Sequence, residues 1–309
     1  MEKIYNSARG FGANLTEGKI STKIMDPTNI FGADLSWPLW DIEPLEGAFT
    51  LQAHQEPSNT NGVVKDVTRP WLFGYKAPEP NGRAILILGG GGYVELMVGR
   101  EGVAVAHWLT SLGFNAFVLV HRFPTLKTGA QAPVDDARRS LRLIEDSGLS
   151  KKGLGICGLS SGGHLAASLL ASYPDSWKYP KLAEATPKPT FAIIGYGPIS
   201  TNAVGRTIIP DKAALAPPEK QELYNTVQPD VQLVSPAPPA FIVYSGNDPI
   251  VPVINAYRLT EGITKAGGVV ELHIFADAPH GFGIDTVDIP VSKWPQMCEA
   301  WLKQNGLLS

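Results

Sequence analysis

From residue 83 onward, continuous apolar runs alternate with segments whose apolar positions recur every three or four residues. The runs are "RAILIL" (83–88), "FNAFVLV" (114–120), "GLGIC" (153–157), "TFAIIGY" (190–196), "PAFIVYS" (239–245) and "VVELHIF" (269–275). Unbroken apolar runs of this length fit strands buried on both faces. Between them the spacing predicts helices over 101–113, 133–148, 163–173, 253–266 and 294–304. In the second helix Val134, Ala137, Leu141 and Ile144 share one face. Pro133 suits its first turn, Asp135 and Asp136 complement the dipole there, and Gly148 ends it. Strand and helix in alternation predict an α/β fold, a mainly parallel sheet with helices on both faces.

Upstream the pattern is weaker. Residues 1–45 are irregular and rich in Gly, Pro and Trp, and 1–60 as a whole reads as an N-terminal wrapping segment. "AFTLQAH" (48–54) and "VVKDVTRPWLFGYKA" (63–77) alternate partially around the turn-forming "QEPSNTNG", which predicts antiparallel strands at a sheet edge. Residues 197–238 form a connection rich in Pro and Ala, too long for a plain loop in a compact domain. They read as a small cap over the carboxyl ends of the strands, where such sheets bind ligands. The organisation expected is one domain over 1–309 carrying this cap-like insertion.

Composition narrows the function classes. The 309 residues are 44% hydrophobic and 18% charged, with a net charge of −3. That balance allows a large core and offers no electrostatic case for nucleic acid or an anionic membrane. No apolar run approaches the roughly 18–20 residues of a membrane span. The N-terminus lacks the apolar stretch of a signal peptide, which predicts a cytoplasmic location, a leader removed earlier being the alternative. Two cysteines, Cys157 and Cys298, make no disulfide framework, and Cys157 reads as a small core residue. No CxxC or HExxH spacing is present, so the chemistry is expected to need no metal or cofactor.

"GICGLSSGGHLAA" holds Gly158-Leu159-Ser160-Ser161-Gly162, a G-x-S-x-G motif between a buried strand and a helix. That context places a serine on a sharp strand-to-helix turn, its Oγ exposed above the sheet, with small residues required beside it. A nucleophilic serine needs a base and an orienting carboxylate, here in the chain order Ser, acid, His. Three histidines follow Ser160. His164 lies too near in sequence and is expected to pack or hydrogen-bond. His273 sits inside a strand, as a core or ladder residue. His280, in the loop "ADAPHGFG" after the last strand, is the base. Asp248 ends the preceding strand in "SGND" and is the acid, with Asp277 as its main rival and Asp285 and Asp288 as weaker ones.

The run Gly89–Gly92 after "AILIL" fits neither a P-loop nor a dinucleotide fingerprint. It fits a loop that aims backbone amides at an acyl oxyanion, with Gly91, Gly92 and Ser161 as donors and Gly90 replacing Gly92 if the register shifts by one. Tyr93 either contacts substrate or packs the loop. Glu101 reads chiefly as a helix-dipole partner, and Arg122, Arg138 and Arg139 as structural ion pairs. Trp37, Trp40 and Trp71 suit sugar stacking, but core filling is the plainer reading.

With "GGGGY", "REGVAVAHWLTSLGFNAFVLVHRF", "DDARRSLRLI", "GLSSGGHLAASL", "PPAFIVYSGNDPIVP" and "APHGFG" in view, the chain resembles the α/β-hydrolase superfamily. More narrowly, it resembles the bacterial esterase/lipase group related to hormone-sensitive lipase and acetyl-xylan-esterase-like enzymes. The likeness runs from about residue 64 to the C-terminus. That group usually opens its glycine run with His or Pro. Gly89 stands in that place here, which removes a ring that would stiffen the loop. The resemblance implies hydrolysis of small acyl esters, and in one branch deacetylation of sugars. The partner expected is a small ester substrate, with the protein monomeric or a weak homo-oligomer. Rival readings are a serine peptidase or lactonase on the same triad, or a non-catalytic binding member of the fold.

Overall fold

The computed structural model describes residues 31–41, 44–52, 62–177 and 186–309. Most of the expected wrapping segment lies outside these residues. What is described of it departs from expectation. Leu35–Pro38 forms a strand, β1, within a stretch that reads as irregular. Its LSWP sequence is too short and too Pro- and Trp-marked for alternation to reveal, and tertiary pairing makes it a strand. Thr50–Leu51 (β2) and Val64–Lys65 (β3) pair only with each other, as a separate two-stranded ribbon. Trp71–Tyr75 (β4) is antiparallel as expected, yet lies one strand in from the edge, which β1 occupies.

The apolar runs become β5 (Ala84–Leu88), β6 (Asn115–Val120), β7 (Leu154–Leu159), β8 (Ala192–Gly195), β9 (Ala240–Ser245) and β10 (Val270–Phe275). The eight-stranded sheet runs β1-β4-β6-β5-β7-β8-β9-β10. β1, β4 and β6 pair antiparallel, and every pair from β6 to β10 is parallel. β5 to β9 are buried throughout, as their unbroken apolar runs require.

Helices α1 (Ala104–Ser111), α2 (Ala132–Asp146) and α3 (Ser161–Ser168) follow β5, β6 and β7. The cap-like stretch carries α4 (Pro218–Thr226) and α5 (Pro229–Gln232), and α6 (Ile254–Lys265) and α7 (Trp294–Gln304) complete the chain. The expected helix over 101–113 is shorter, because Val98–Val103 winds as a wider π-type turn first. Such turns cluster at functional sites, and this one carries Glu101. Among the described residues, no helix is long and apolar enough to cross a membrane.

Candidate active site

The carboxyl ends of β5, β7, β8, β9 and β10 converge on one region. Ser160 caps β7 at φ 54° and ψ −126°, a left-handed conformation that a non-glycine residue holds only under strain from its surroundings. Its amide donates to the Gly195 carbonyl at 3.0 Å. The motif glycines are needed for space. A Cβ at Gly158 would overlap the Gly162 carbonyl and the Ala166 side chain, and one at Gly162 would overlap the Leu88 carbonyl.

Ser160 Oγ lies 2.9 Å from His280 Nε2, and His280 Nδ1 lies 2.7 Å from Asp248 Oδ2. The other Asp248 oxygen accepts from the amides of Ile250 and Val251, both at 2.8 Å. Burial alone would raise this carboxyl. The hydrogen bonds from His280, Val251 and Ile250 outweigh it and hold the group below the usual aspartate value. Asp277 is exposed and accepts from Asn247 Nδ2 at 2.7 Å. Asp285 pairs with Arg100 at 2.8 Å. The expected trio of Ser160, His280 and Asp248 is thus brought together, and these two rivals are engaged elsewhere.

The loops carrying acid and base are tied to each other. Ser245 Oγ donates to Asn247 Oδ1 at 2.8 Å and accepts from the Ala278 amide at 3.0 Å. The base loop has further anchors. Gly283 donates its amide to the Tyr196 hydroxyl, and its carbonyl accepts from Trp294 Nε1 at 2.6 Å. The Tyr196 ring meets the His280 ring edge-on at a centroid separation of 5.4 Å.

The glycine loop lies against the serine, since a Cβ at Gly90 would overlap Ser160 Cβ. The Gly90 amide donates to Glu101 Oε2 at 2.6 Å, and the Gly92 amide to Ser161 Oγ at 2.9 Å. The amides of Gly91 and Ser161 donate to no group among the described residues. Of the three expected donors, Gly92 is therefore corrected: its amide already donates to a neighbouring hydroxyl. Gly90 cannot replace it, because the Glu101 carboxylate holds that amide.

Glu101 itself is a second correction. It is 3% exposed, and its Oε1 accepts from the Tyr196 hydroxyl at 2.9 Å. Burial pushes its carboxyl up, against the opposing pull of the Gly90 amide, Tyr196, His280 and Arg100. It braces the loop from inside, where a ring at position 89 would otherwise stiffen it. An acid at a helix start looks identical in sequence whether it faces water or a loop, so the signal could not separate the two. Tyr196, which links Glu101 to the base loop, gave no signal beyond ending a strand.

Tyr93 is also corrected. It is 1% exposed, and its hydroxyl is 2.9 Å from His164 Nδ1, so the side chain packs the loop and does not face a substrate. His164 Nε2 lies 3.0 Å from the Val227 carbonyl. A carbonyl only accepts, so Nε2 carries the proton and Nδ1 accepts from Tyr93. Burial lowers this imidazole to about 4, against the Val227 carbonyl, and keeps it neutral. His164 thus packs and hydrogen-bonds, as its sequence position implies, and it joins the glycine loop to the cap. Lys220 of α4 stands beside that loop, its Nζ 3.7 Å from where a Gly92 Cβ would be.

The remaining side chains are structural. His273 packs on Phe241 and lies 3.1 Å from Glu271 along β10. Cys157 is fully buried, its thiol pushed up to about 12 by burial and then by Glu101. Arg122 forms the expected ion pair, to Asp136 at 2.6 Å. Arg139 instead donates to the Leu39 carbonyl, and Arg138 lies over the Tyr173 ring. Trp37 and Trp71 are buried, and Trp40 donates to Asp136 at 2.7 Å.

A mostly parallel sheet with a strained serine after a central strand and a histidine after its last defines an α/β-hydrolase. The sequence profile of the prolyl oligopeptidase family matches residues 129–306, and the chain belongs to that family. An acetylxylan esterase of Xylanibacter ruminicola is 28% identical over 255 residues, covering 77% of this chain and 49% of that protein. The endo-1,4-beta-xylanase B of Butyrivibrio fibrisolvens is 28% identical over 227 residues, 70% of this chain and 35% of its own. The chain therefore spans about half the length of the first and about a third of the second. Among solved structures, an acetyl ester-xyloside bifunctional hydrolase from Caldicellulosiruptor lactoaceticus superposes with a TM-score of 0.65 at 25% identity, over 89% of this chain and 97% of its own. The butyrate-bound esterase 2 of Thermogutta terrifontis, at 20% identity, shares the fold with a TM-score of 0.62 over 86% of this chain and 97% of its own.

Proposed function

We propose that the protein is a serine esterase that removes acetyl and other short acyl groups, with acetylated sugars or xylo-oligosaccharides as its substrate class. The observation that carries this is the unbroken relay from Ser160 Oγ through His280 to Asp248, at 2.9 and 2.7 Å. His280 Nε2 takes the hydroxyl proton as Ser160 Oγ attacks the ester carbonyl, and Asp248 holds the ring in the tautomer that can accept it. The oxyanion meets the amides of Gly91 and Ser161, each such donor worth roughly 2.7–4 kcal/mol in the transition state. His280 then protonates the leaving alcohol, and water clears the acyl-enzyme by the same relay. The glycine loop, packed tightly against Ser160 and braced by Glu101, favours a short acyl chain. Similarity to proteins named acetylxylan esterase and acetyl ester-xyloside hydrolase supports acetyl as the acyl group.

The family match favours amide hydrolysis as a second reading. Both are tested on one panel of p-nitrophenyl esters of increasing chain length, acetylated xylo-oligosaccharides and peptide p-nitroanilides, with the unmodified protein and Ser160→Ala. Acetyl or propionyl esters are expected to give the highest kcat/KM, and Ser160→Ala to fold and lose nearly all turnover, retaining about 10³–10⁴-fold acceleration over water. A preference for peptide anilides would move the protein to the peptidases. Ordinary turnover by Ser160→Ala would remove the mechanism.

A further inference from the structure

The cap turns a cation toward the glycine loop. Lys220 is the third residue of α4, and its Nζ stands 3.7 Å from where a Gly92 Cβ would be. Tyr224, one turn further along, packs its ring on Tyr93 and His164. Residues four apart share a helix face, so Lys220 and Tyr224 both face the loop. The neighbouring acids, Glu219 and Glu222, line a separate cavity with Trp40 and Arg139. Among the described residues, the Lys220 ammonium makes no hydrogen bond and no ion pair.

A second lysine is held close by. Gln221, the next residue of α4, accepts from the Leu215 amide at 3.0 Å and donates to the Asn202 carbonyl at 2.9 Å. These bonds fasten the stretch from Asn202 to Leu215 against the helix. Within that stretch Lys212 donates to Asn202 Oδ1 and, at 3.4 Å, to the Thr201 carbonyl. The Asn202 side chain also meets the Tyr224 hydroxyl, so Lys212 stands on the same side of α4 as Lys220. An ammonium carries three donors, which leaves Lys212 one for a further acceptor.

Three effects disfavour a positive charge at Lys220. Half-burial strips it of water, Lys212 repels it, and the first turn of a helix carries the positive end of the dipole. Burial and then Lys212 lower this ammonium, and no carboxylate of the chain raises it. A bound anion would offset all three effects. Two ammonium groups offer donors and no acceptor, so they favour an anion over a neutral hydroxyl. Gly92 follows Gly91, whose amide is left for the oxyanion, so an anion at Lys220 belongs to the molecule whose carbonyl meets Ser160. The glycine loop favours a short acyl group there, which leaves the alcohol half to carry the charge.

We propose that Lys220, supported by Lys212, is the specificity-determining residue of this site and selects esters whose alcohol half is anionic, an O-acetylated hydroxy acid being the simplest. The inference rests on the esterase reading. The test compares kcat/KM on meta- and para-acetoxybenzoate with kcat/KM on the matching acetoxybenzamides, in which a neutral group of similar size replaces the carboxylate. The unmodified protein is expected to favour one of the anions by about tenfold or more, the effect of one charge-assisted contact. Lys220→Gln is expected to bring that ratio close to one, Lys212→Gln to narrow it, and Lys220→Arg to keep most of it. Equal rates on anion and amide in the unmodified protein, or a ratio that Lys220→Gln leaves unchanged, overturn the proposal. A preference for mono-p-nitrophenyl succinate over p-nitrophenyl butyrate, with none among the acetoxybenzoates, overturns the placement of the anion on the alcohol half. Hydrolysis of p-nitrophenyl acetate by the unmodified protein reads the esterase assignment separately. Turnover of that ester without any preference for anions removes this inference alone, whereas no turnover of any ester removes both.

Discussion

The two candidate acids differ in what their carboxylates touch. Asp248 is fixed by two amides and by His280, whereas exposed Asp277 accepts from Asn247 alone among the described residues. Asp248→Asn is expected to fold and lower kcat by about 10⁴, because the imidazole then loses the partner that sets its tautomer. Asp277→Asn should leave kcat nearly unchanged, and the reverse pattern would rewrite the triad. Glu101 poses a different problem, since it touches no reacting atom. Glu101→Ala strands the buried Gly90 amide and Tyr196 hydroxyl, each loss worth about 1–3 kcal/mol. Part of that is expected to appear as a 10- to 100-fold fall in kcat on p-nitrophenyl acetate with KM little changed, because the loop presenting Gly91 loses its brace. Glu101→Gln, which keeps an acceptor for Gly90, should recover most of the loss, whereas a purely global destabilisation would lower the amount of folded enzyme and leave the kcat of what remains intact.

At the scale of elements, the strands from β5 to β10 were legible because burial on both faces leaves an apolar run that no polar residue interrupts. The residues of the relay were legible for a related reason: strand ends in a parallel sheet all point to one edge, so Ser160, Asp248 and His280 could be placed by position along the chain alone. β1 was not legible, because an antiparallel edge strand of four residues is defined by its pairing to β4 and not by its own pattern. The brace at Glu101 was hidden by the π-type turn, which shifts the acid inward from where an ordinary helix start would leave it. One close junction between elements is where α3 crosses the end of β5. Gly162 lies against the Leu88 carbonyl there, on the backbone that leads into the glycine loop. Gly162→Ala must force β5 and α3 apart. A loss of more than about 2 kcal/mol in urea denaturation is expected, with activity falling in parallel. A stable, active Gly162→Ala variant would show that this contact is slack.

Over the whole molecule, pH tunes stability through groups that burial and pairing push in opposite directions. Burial, helped by Asp136, raises the Asp135 carboxyl to about 6, although Gln131, Arg138 and Arg122 pull it down. A carboxyl raised on folding binds its proton more tightly in the folded state. Stability from this group is therefore full below about pH 4 and is lost as pH rises toward 6. Asp135→Asn removes that loss. The variant is expected to exceed the unmodified protein above pH 6 by on the order of 2 kcal/mol, and to match it near pH 4, in denaturation followed across pH 4–8. Asp248 works in the other sense. Its carboxyl is held low in the folded state, so its contribution is present above about pH 4 and disappears as pH falls through the lower folded value.

The ties between the two loops at the β10 edge have a mechanical consequence. Ser245 and Asn247 lock the loop bearing the acid to the loop bearing the base, so small excursions of the outermost strands carry both partners as one piece. Their mutual distance is insulated from such breathing. The separation left to fluctuate is the one between that piece and the central strand, where the serine stands. The compliant link of the relay is thus the hydroxyl-to-imidazole contact, the one that the proposed mechanism opens and re-forms at each proton transfer.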